Sequence, residues 1–426
     1  MRNRWIYRIY NGLLLVLLPF IGAWIALRWR KRFFAHAGER WNERWGRYPD
    51  ERRHEFSGGS WWWVHAVSLG EIRAIESFLR KASRRNDVRI VLSVMTPEAI
   101  AYAAENRLAH QVIAAPIDLP WIVRRVFRFI RPALFVSVES EFWPNLLREA
   151  RRSGAKVALI NGRLSEHSFR TYRRLRPIVS ALWDSVDLWA VRQEQDAARF
   201  AALGVPADRI RVTGNLKYDL PLPATRNGRA PSAETGPVLV FGSTREGEEE
   251  QLAPVIESLR RRWPGLHAIW APRHIERIPE LEALMRSRGW VVARKTTSGG
   301  APTGSSRDLL WDSMGDLLDA YRRADIAIVG GSFVPKGGQN PIEPASLEMP
   351  VIFGPSMENF YGIAERLVKH GGARQVALDQ LGECLDDLLR HPEARRAMGH
   401  QARAAVEQAQ GATEATLKLL DELTHA

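Results

Sequence analysis

The stretch Asp325–Pro344, DIAIVGGSFVPKGGQNPIEP, sets a short apolar run directly before two pairs of glycines. The β-branched run Ile326–Val329 predicts a buried strand. Glycines after a strand let backbone N–H groups approach an anion. Asn340–Glu343 predicts a helix start with Asn340 as N-cap, Pro341 at the first helical position, and Glu343 accepting from the Asn340 backbone N–H in a capping box. A strand, a glycine loop and a helix N-terminus together predict a phosphate site. A tight turn before an ordinary capped helix would give the same local pattern.

The same strand–loop–helix order recurs on both sides of this stretch. Apolar runs in the first half predict strands at Trp61–His65, Arg89–Val94, Ala133–Val138, Lys156–Ile160, Leu188–Val191 and Ile210–Thr213. Comparable runs in the second half predict strands at Val238–Gly242, His267–Ala271, Trp290–Arg294 and Pro350–Gly354. This alternation predicts an α/β fold with parallel sheets covered by helices on both faces. Such sheets bind ligands at the carboxyl ends of their strands.

A change in composition separates the two series. The segment 220–237 is rich in Pro, Gly, Ser and Thr, which indicates an interdomain linker. The predicted organisation is a membrane anchor at 1–34, a Rossmann-like domain at 35–219, the linker, and a second Rossmann-like domain at 238–426. The last of these includes two predicted terminal helices, Asp379–Arg390 and Glu393–Leu423. Two doubly wound domains of this kind are expected to face a central cleft.

A run near the N-terminus predicts membrane attachment. Ile9–Leu27 carries no charged residue and lies between Arg8 and Arg28. Its length is close to the ~20 residues of a spanning helix. A cleaved signal peptide and a buried helix are the alternatives, but basic residues rather than a cleavage site follow the run. The greater positive charge on its C-terminal side predicts a cytoplasmic location for the rest of the chain. The run is therefore expected to span a membrane or to half-insert into it.

The charge balance narrows the class of partner. The chain of 426 residues has 61 Lys and Arg against 48 Asp and Glu, a net charge of +13. Such a balance favours nucleic acid, an anionic membrane surface or an acidic substrate. The chain has no zinc-ligand spacing and no RNA-binding signature, which argues against nucleic acid. Cys384 is the single cysteine, which excludes an internal disulfide and fits a reducing compartment.

Nine motifs carry a resemblance to a known family. They are HAVSLGE at 65–71, ESEFWPN at 139–145, NGRLS at 161–165, TGNLKYD at 213–219, GSTREGEEE at 242–250, PRHIER at 272–277, MGDLLDAY at 314–321, GGSFVPKGGQNPIEP at 330–344 and GPSMENF at 354–360. In this order they resemble the bacterial 3-deoxy-D-manno-octulosonic acid (Kdo) transferases. The resemblance implies the two-domain GT-B glycosyltransferase fold. It also implies inverting transfer of Kdo from CMP-Kdo to a lipid A precursor, lipid IVA, at the cytoplasmic face of the inner membrane.

The chain departs from the family pattern at several positions. Gln339 stands where the pattern GGHNP has histidine, and Arg245 stands where the pattern STHPGEE has histidine. Ser140, Phe142 and Gly162 are further departures, from the patterns ETELWPN and NARLS. None of these changes removes a residue that the resemblance assigns to chemistry, but two histidines of the family are missing here.

An acceptor hydroxyl needs an ionised general base beside it. Glu71 follows Gly70 just after a predicted strand, and the resemblance assigns it the base; the alternative is an acid that stabilises its helix start. The resemblance makes Glu139 a supporting residue for the transition state, and Glu141 competes for that role. Lys217 just precedes the linker, where its positive charge would stabilise the negative charge of the donor. A solvated lysine is the alternative there.

The resemblance also implies a nucleotide site in the second domain. Its residues are Pro272, Arg273, Met314, Gly315, Asp316, Asn340, Pro341, Ile342 and Glu343. Arg273 suits the CMP phosphate, with Arg163 a weaker candidate of the same kind. Met314 and Gly315 would offer backbone groups to cytosine, and Glu343 would accept from ribose hydroxyls or cap its helix. CMP carries a single phosphate and the chain has no Asp-x-Asp motif, so no metal or other cofactor is expected.

Two other classes of protein stay open. A GT-B enzyme such as a sugar-nucleotide epimerase or a lipid A disaccharide synthase would share the fold. A non-catalytic protein that binds anionic membrane lipids would explain the charge and the anchor. An epimerase should prefer UDP to CMP, and a lipid binder should respond to neither nucleotide. No residue indicates how many Kdo residues are transferred, or which acylation the acceptor needs.

Overall fold

The described part of the chain forms two compact units. A computed structural model describes residues 4–28, 40–219, 221–224, 236–298 and 307–425. One unit comprises Met1–Leu220 and Ala409–Ala426, and the other comprises Pro221–Gln408. Residues 29–34 of the predicted anchor, the predicted domain start at 35–39 and most of the predicted linker at 220–237 lie outside the described residues.

The first unit is built on a parallel sheet of seven strands in the order β3-β2-β1-β4-β5-β6-β7. Its strands are β1 (Ser60–Ala66), β2 (Val88–Val94), β3 (Gln111–Ala114), β4 (Leu134–Val138), β5 (Lys156–Gly162), β6 (Leu188–Val191) and β7 (Ile210–Val212). Its helices up to β7 are α1 (Arg4–Arg28), α2 (Trp41–Arg44), α3 (Leu69–Ala74), α4 (Glu76–Ser83), α5 (Pro97–Glu105), α6 (Pro120–Ile130), α7 (Pro144–Arg152), α8 (Glu166–Arg174), α9 (Arg176–Trp183) and α10 (Glu194–Ala202). Short 3-10 helices lie at Asp50–Phe56, Ala207–Arg209 and Leu216–Tyr218.

Strand β1 shows how this sheet is buried on both faces. Trp62 and Val64 pack in one apolar layer, and Trp61 and Trp63 pack in the other. The alternation follows from strand geometry, because successive side chains point to opposite faces. Such continuous burial is typical of parallel sheets that carry helices on both sides.

The second unit contains another parallel sheet of seven strands, in the order β10-β11-β9-β8-β12-β13-β14. Its strands are β8 (Val238–Thr244), β9 (His267–Pro272), β10 (Val292–Arg294), β11 (Asp308–Leu310), β12 (Ile326–Val329), β13 (Val351–Phe353) and β14 (Ala373–Gln375). Its helices are α11 (Glu248–Arg262), α12 (Ile278–Ser287), α13 (Lys295–Ser298), α14 (Leu317–Arg322), α15 (Ile342–Ser346), α16 (Tyr361–Lys369), α17 (Leu378–Arg390) and α18 (Pro392–Glu407), with 3-10 helices at Ile275–Arg277 and Glu358–Phe360. The chain then returns to the first unit as α19 (Ala412–His425).

The carboxyl ends of β8 and β12 approach each other closely. A Cβ atom on Gly330 would lie 2.5 Å from the Cα atom of Thr244, and one on Gly242 would overlap the Tyr321 hydroxyl. Both positions therefore require glycine. The close approach places the loop after β8 beside the glycine loop after β12.

The predicted α/β architecture with parallel sheets is confirmed, although three strands were missed. The missed strands are β11, which has three residues, and β3 and β14, which have four and three residues and lie at the edges of their sheets. An edge strand pairs with one neighbour only, so a few residues suffice and the apolar run is too short to stand out.

The predicted terminal helix Glu393–Leu423 is wrong. Gly411 has a φ of +104° and separates α18 from α19. The Asp219 carboxylate accepts hydrogen bonds from the N–H groups of Gly411, at 2.8 Å, and of Thr413. These bonds hold the start of α19 to the first unit, so the second predicted domain does not extend to residue 426.

The uncharged N-terminal run lies in helix α1. No helix of the described residues has the length and apolarity of a membrane span, so the spanning form of the predicted anchor is not found there. The start of α1 packs on the first unit. Tyr10 donates a hydrogen bond to the buried Asp118 carboxylate at 2.9 Å, and the Arg148 guanidinium lies 4.4 Å from the centre of the Tyr7 ring.

An apolar stripe on α1 stays exposed. It consists of Trp5, Ile9, Leu13, Val16 and Phe20, which are each between 54% and 69% exposed. A spacing of three or four residues places them on one face of the helix. Because Tyr7 lies beside Arg148 and Asn11 lies beside Asn145, α1 runs antiparallel to α7. It therefore continues beyond the first turn of α7, at the carboxyl edge of the first sheet.

Candidate active site

The carboxyl edge of the first sheet carries the residues expected to catalyse transfer. Glu71 follows β1, Glu139 and Glu141 follow β4, Arg163 follows β5 and Lys217 follows β7. Since the strands run parallel, all five positions lie at the same edge.

Glu71 lies in the first turn of α3. Ser68 is the N-cap and accepts a hydrogen bond from the Glu71 N–H at 3.3 Å. One carboxylate oxygen of Glu71 accepts from the Val67 N–H at 2.8 Å, and the other accepts from the Ser68 hydroxyl at 3.0 Å. The capping role weighed against catalysis is therefore present. It also fixes the direction of the carboxylate, and each oxygen keeps a further lone pair for another donor.

The proton affinity of Glu71 is raised by its surroundings. Burial is the main cause, and the charges of Glu141 and Glu139 add to it, so that the pKa of Glu71 rises to about 7. The hydrogen bonds from Val67 and Ser68 act in the opposite direction. A carboxyl group with a pKa near the working pH is suited to general base catalysis.

Glu139 is held by two arginines that follow neighbouring strands. Arg192 pairs with one carboxylate oxygen, and Arg163 Nε lies 3.3 Å from the other. The side chains of Glu139 and Arg192 are each only 16% exposed. Glu139 has a φ of +57°, which costs a non-glycine residue about 1–2 kcal/mol. The ion pairs thus stabilise a strained backbone at the strand end.

Glu141 has a different environment. The Trp143 indole N–H donates to its carboxylate at 3.0 Å. Burial raises the pKa of Glu141, and the charge of Glu139 raises it further. The two acids that could not be ranked from sequence are therefore distinct, because Glu139 binds two arginines and Glu141 binds an indole.

Asn161 connects this acidic cluster to the turn that carries Lys217. Its backbone carbonyl accepts from Arg192 Nε at 3.2 Å, and its side-chain oxygen accepts from the Leu216 N–H at 3.1 Å. Asn161 is fully buried and has a φ of +54°, a conformation that asparagine tolerates better than most residues. The Lys217 N–H in turn donates to Asn215 Oδ1 at 3.2 Å.

The phosphate site predicted at the glycine loop of the second unit needs correction. The buried Glu248 carboxylate accepts from the N–H groups of Gly331 at 2.6 Å, Ser332 at 3.1 Å and Phe333 at 3.0 Å. The backbone N–H of Arg245 donates to the same carboxylate at 3.0 Å. A carboxylate of the protein therefore occupies the position predicted for a phosphate.

The helix after this loop starts one residue later than predicted. Helix α15 begins at Ile342 with Pro341 as its N-cap. Asn340 Oδ1 accepts from the Ile342 N–H at 3.1 Å, and the Asn340 amide donates to Glu343 Oε1 at 3.1 Å. The predicted bond from the Asn340 backbone N–H to Glu343 is thus replaced by a bond between the two side chains.

The Asp316 carboxylate is bonded to its own loop and to Lys295 of α13. It accepts from Lys295 Nζ at 2.5 Å, from the Trp311 indole N–H at 2.8 Å and from the Ser313 hydroxyl at 2.7 Å. Burial opposes ionisation, but these hydrogen bonds outweigh it and lower the pKa of Asp316 to about 2. Asp316 therefore stabilises the conformation of the 311–316 loop.

The other nucleotide residues lie at the ends of β9 and β11, which are neighbours in the sheet. Pro272 is the buried last residue of β9, and the exposed Arg273 donates its N–H to the Thr244 carbonyl at 2.9 Å. Met314 is 63% exposed and Gly315 has a φ of +90°. This turn therefore presents backbone groups at the same edge as Arg273.

Three site residues were missed in the sequence. Arg192 directly follows β6, so the rule that ligands bind at strand carboxyl ends would have found it. Asn161 belongs to a quoted motif but received no role. Glu248 has the sequence pattern of a first-turn helix acid, and no local signal indicates that it reaches Gly331, 83 residues further on.

A solved structure shares this fold. A glycosyltransferase from Rickettsia africae matches with a TM-score of 0.59 at 12% identity, over 86% of this chain and 98% of that one. That likeness concerns the fold alone. Two parallel α/β units, with acidic and basic side chains at the carboxyl edges of their sheets, place the chain in the GT-B-like fold class.

Sequence comparison identifies the family within that class. The family model of 3-deoxy-D-manno-octulosonic acid transferases matches residues 39–220. The transferase of Haemophilus influenzae is 30% identical over 96% of this chain and 97% of its own, and that of Bordetella pertussis is 35% identical over 84% and 86%. The chain belongs to the Kdo transferase family, and it transfers Kdo in lipopolysaccharide biosynthesis.

Proposed function

We propose that this enzyme moves Kdo from CMP-Kdo to a lipid A precursor with Glu71 as the general base. The observation that carries the proposal is the Glu71 carboxylate at the carboxyl edge of the first sheet. Its hydrogen bonds from Val67 and Ser68 fix its direction, and its pKa is raised to about 7. Such a carboxylate accepts a proton from a sugar hydroxyl better than one with an ordinary pKa.

The reaction is a single displacement at the anomeric carbon of Kdo. The acceptor hydroxyl oxygen bonds to that carbon while the bond from the carbon to the phosphate oxygen breaks. The electron pair of the broken bond leaves with CMP, and the hydroxyl proton moves to the Glu71 carboxylate. One displacement inverts the anomeric configuration, and no further reactant is needed.

Glu139 is the better candidate for supporting the transition state. It holds Arg163 and Arg192 at the edge where charge on the donor shifts, whereas Glu141 holds the indole of Trp143. Cations that are fixed before the reaction stabilise developing negative charge at little reorganisation cost. Lys217, on a turn tied to the same cluster through Asn161, adds a further cation.

The nucleotide is assigned to the second unit. Arg273 would pair with the CMP phosphate, and the exposed backbone of Met314 and Gly315 would meet the cytosine edge. Glu343 would accept from ribose hydroxyls while its bond to Asn340 holds it in place. Asp316 is proposed as a positioning residue, since its carboxylate is already bonded to Lys295 and Trp311.

The acceptor is proposed to arrive from the inner membrane with its anionic lipids. The exposed apolar stripe of α1 and the net charge of +13 support attachment to such a surface. Helix α1 continues beyond the sheet edge that carries Glu71, which favours delivery of a lipid acceptor to that edge. In this arrangement the two α/β units lie on the cytoplasmic face.

A direct transfer assay tests the proposal. The full-length enzyme would be incubated with CMP-Kdo, generated in place, and a tetra-acylated lipid A precursor, and mass spectrometry would count the added Kdo residues. We expect Kdo-dependent mass increments on the acceptor and stabilisation by CMP rather than UDP. Stabilisation by UDP alone would favour an epimerase-like activity. Binding to vesicles, with neither Kdo transfer nor stabilisation by a nucleotide, would favour a lipid-binding protein.

A further inference from the structure

Arg245 and His274 form a pair at the carboxyl edge of the second sheet. Arg245 Nη1 lies 2.7 Å from His274 Nε2, so a neutral His274 accepts this N–H and carries its own proton on Nδ1. The bond from the Arg273 N–H to the Thr244 carbonyl joins the two strand ends. Two arginines, Arg245 and Arg273, therefore follow the neighbouring strands β8 and β9.

The Arg245 side chain lies against the glycine loop. A Cβ atom on Gly331 would be 3.2 Å from Arg245 Cγ and 3.3 Å from Gln339 Nε2. Positions 245 and 339, where the chain lacks the two histidines of the family pattern, are thus neighbours in space. The two departures form one local rearrangement around Gly331.

The Arg245 guanidinium makes its contact with His274 at the surface of the unit. In the described part of the chain its side-chain hydrogen bond goes to the exposed His274, while Arg245 itself is half-buried. The Glu248 carboxylate bonds to the Arg245 backbone N–H and to the loop amides. The loop amides are therefore already used, and an anion at this edge needs side-chain cations instead.

We propose that Arg245, oriented by His274, binds the anionic group of the donor, which is either the phosphate of CMP or the carboxylate of Kdo. The inference rests on the proposed function, because it assumes CMP-Kdo as the donor. A guanidinium offers two parallel N–H groups that match the oxygens of a phosphate or a carboxylate. On the phosphate it would also oppose the charge that collects there as the bond to Kdo breaks.

Calorimetry on the full-length chain tests the assignment with CMP and cytidine as probes. Arg245→Gln should weaken CMP about ten- to a hundredfold and leave cytidine unchanged, because a charged hydrogen bond to the phosphate is lost. Arg245→Lys should lose less CMP affinity, since lysine keeps the positive charge but lacks the two parallel N–H groups. His274→Ala should also weaken the binding of CMP and not that of cytidine, but by a smaller factor. Arg261→Gln removes an exposed arginine of α11 and is the matched control.

The outcomes separate the two ligand sources. Weaker CMP with unchanged cytidine assigns Arg245 to the phosphate. Unchanged CMP with a KM for CMP-Kdo raised about tenfold or more assigns it to the carboxylate. Equal weakening of CMP and cytidine, or no change with any of the three ligands, overturns the inference. If the wild-type chain binds no CMP at all, the proposed donor fails before Arg245 is tested.

Discussion

The contact between Glu248 and the glycine loop yields a prediction about stability. One Glu248 oxygen accepts from Gly331 and Arg245, and the other accepts from Ser332 and Phe333. In Glu248→Gln one of these oxygens becomes an NH2 group, so at least two buried N–H groups lose their acceptor. A buried donor without a partner costs about 1–3 kcal/mol, so the substitution should lower the free energy of unfolding by about 2–6 kcal/mol.

Urea unfolding of the full chain measures the change, and hydrogen exchange of the amides from Gly331 to Phe333 localises it. The matched control is Glu250→Gln, which removes an exposed acid from the same first turn of α11 and should stay within about 0.5 kcal/mol of wild type. Exchange at the loop should accelerate only in Glu248→Gln. Equal stability of the two variants, with equal loop protection, would refute the reasoning.

Three further substitutions follow from individual contacts. The pKa of Glu71 is raised from 4.5 to about 7, so folding favours its neutral form, and its contribution to stability is lost as the pH rises between these values. The free energy of unfolding, measured from pH 4 to 8, should therefore fall in wild type relative to Glu71→Gln as the pH rises through that window. A difference between the two proteins that does not change with pH would contradict the raised pKa of Glu71. Glu343→Gln should weaken CMP about ten- to a hundredfold with little change in Tm, and the loss should shrink with 2′,3′-dideoxy-CMP; equal loss with both nucleotides would exclude a ribose contact. Tyr10→Phe removes a donor to the buried Asp118 and should lower the free energy of unfolding of the first unit by about 1–3 kcal/mol, and an unchanged urea midpoint would show that the contact does not hold α1.

The sheets were predictable because buried parallel strands appear as apolar runs. Leu188–Val191 and Ile326–Val329 agree with the predicted bounds residue for residue. The edge strands β3 and β14 were not predictable in this way, because a strand with one neighbour needs only a few residues. The start of α15 was misplaced by one residue, since Asn340 caps from outside the helix and Pro341 takes the N-cap position.

The site was predictable only as far as local pattern reaches. Ser68 and Glu71 are three residues apart, and their mutual hydrogen bonds follow from helix geometry. The Arg192 partner of Glu139 is 53 residues away and the Glu248 partner of Gly331 is 83 residues away, and tertiary packing alone brings each pair together. The glycine loop therefore looked like a phosphate site, because nothing near it in the sequence indicated that Glu248 fills it.

Single-turnover transfer of Kdo tests the role of Glu71 most directly. Rates would be compared for wild type, Glu71→Gln and Glu98→Gln, which removes an exposed first-turn acid from α5 as the control. We predict a wild-type rate that falls below about pH 7 as Glu71 becomes protonated. Glu71→Gln should be at least about a hundredfold slower with near-normal CMP affinity, and Glu98→Gln should match wild type. A Glu71→Gln rate within a few-fold of wild type, with the same fall below pH 7, would contradict the assignment of Glu71 as the base.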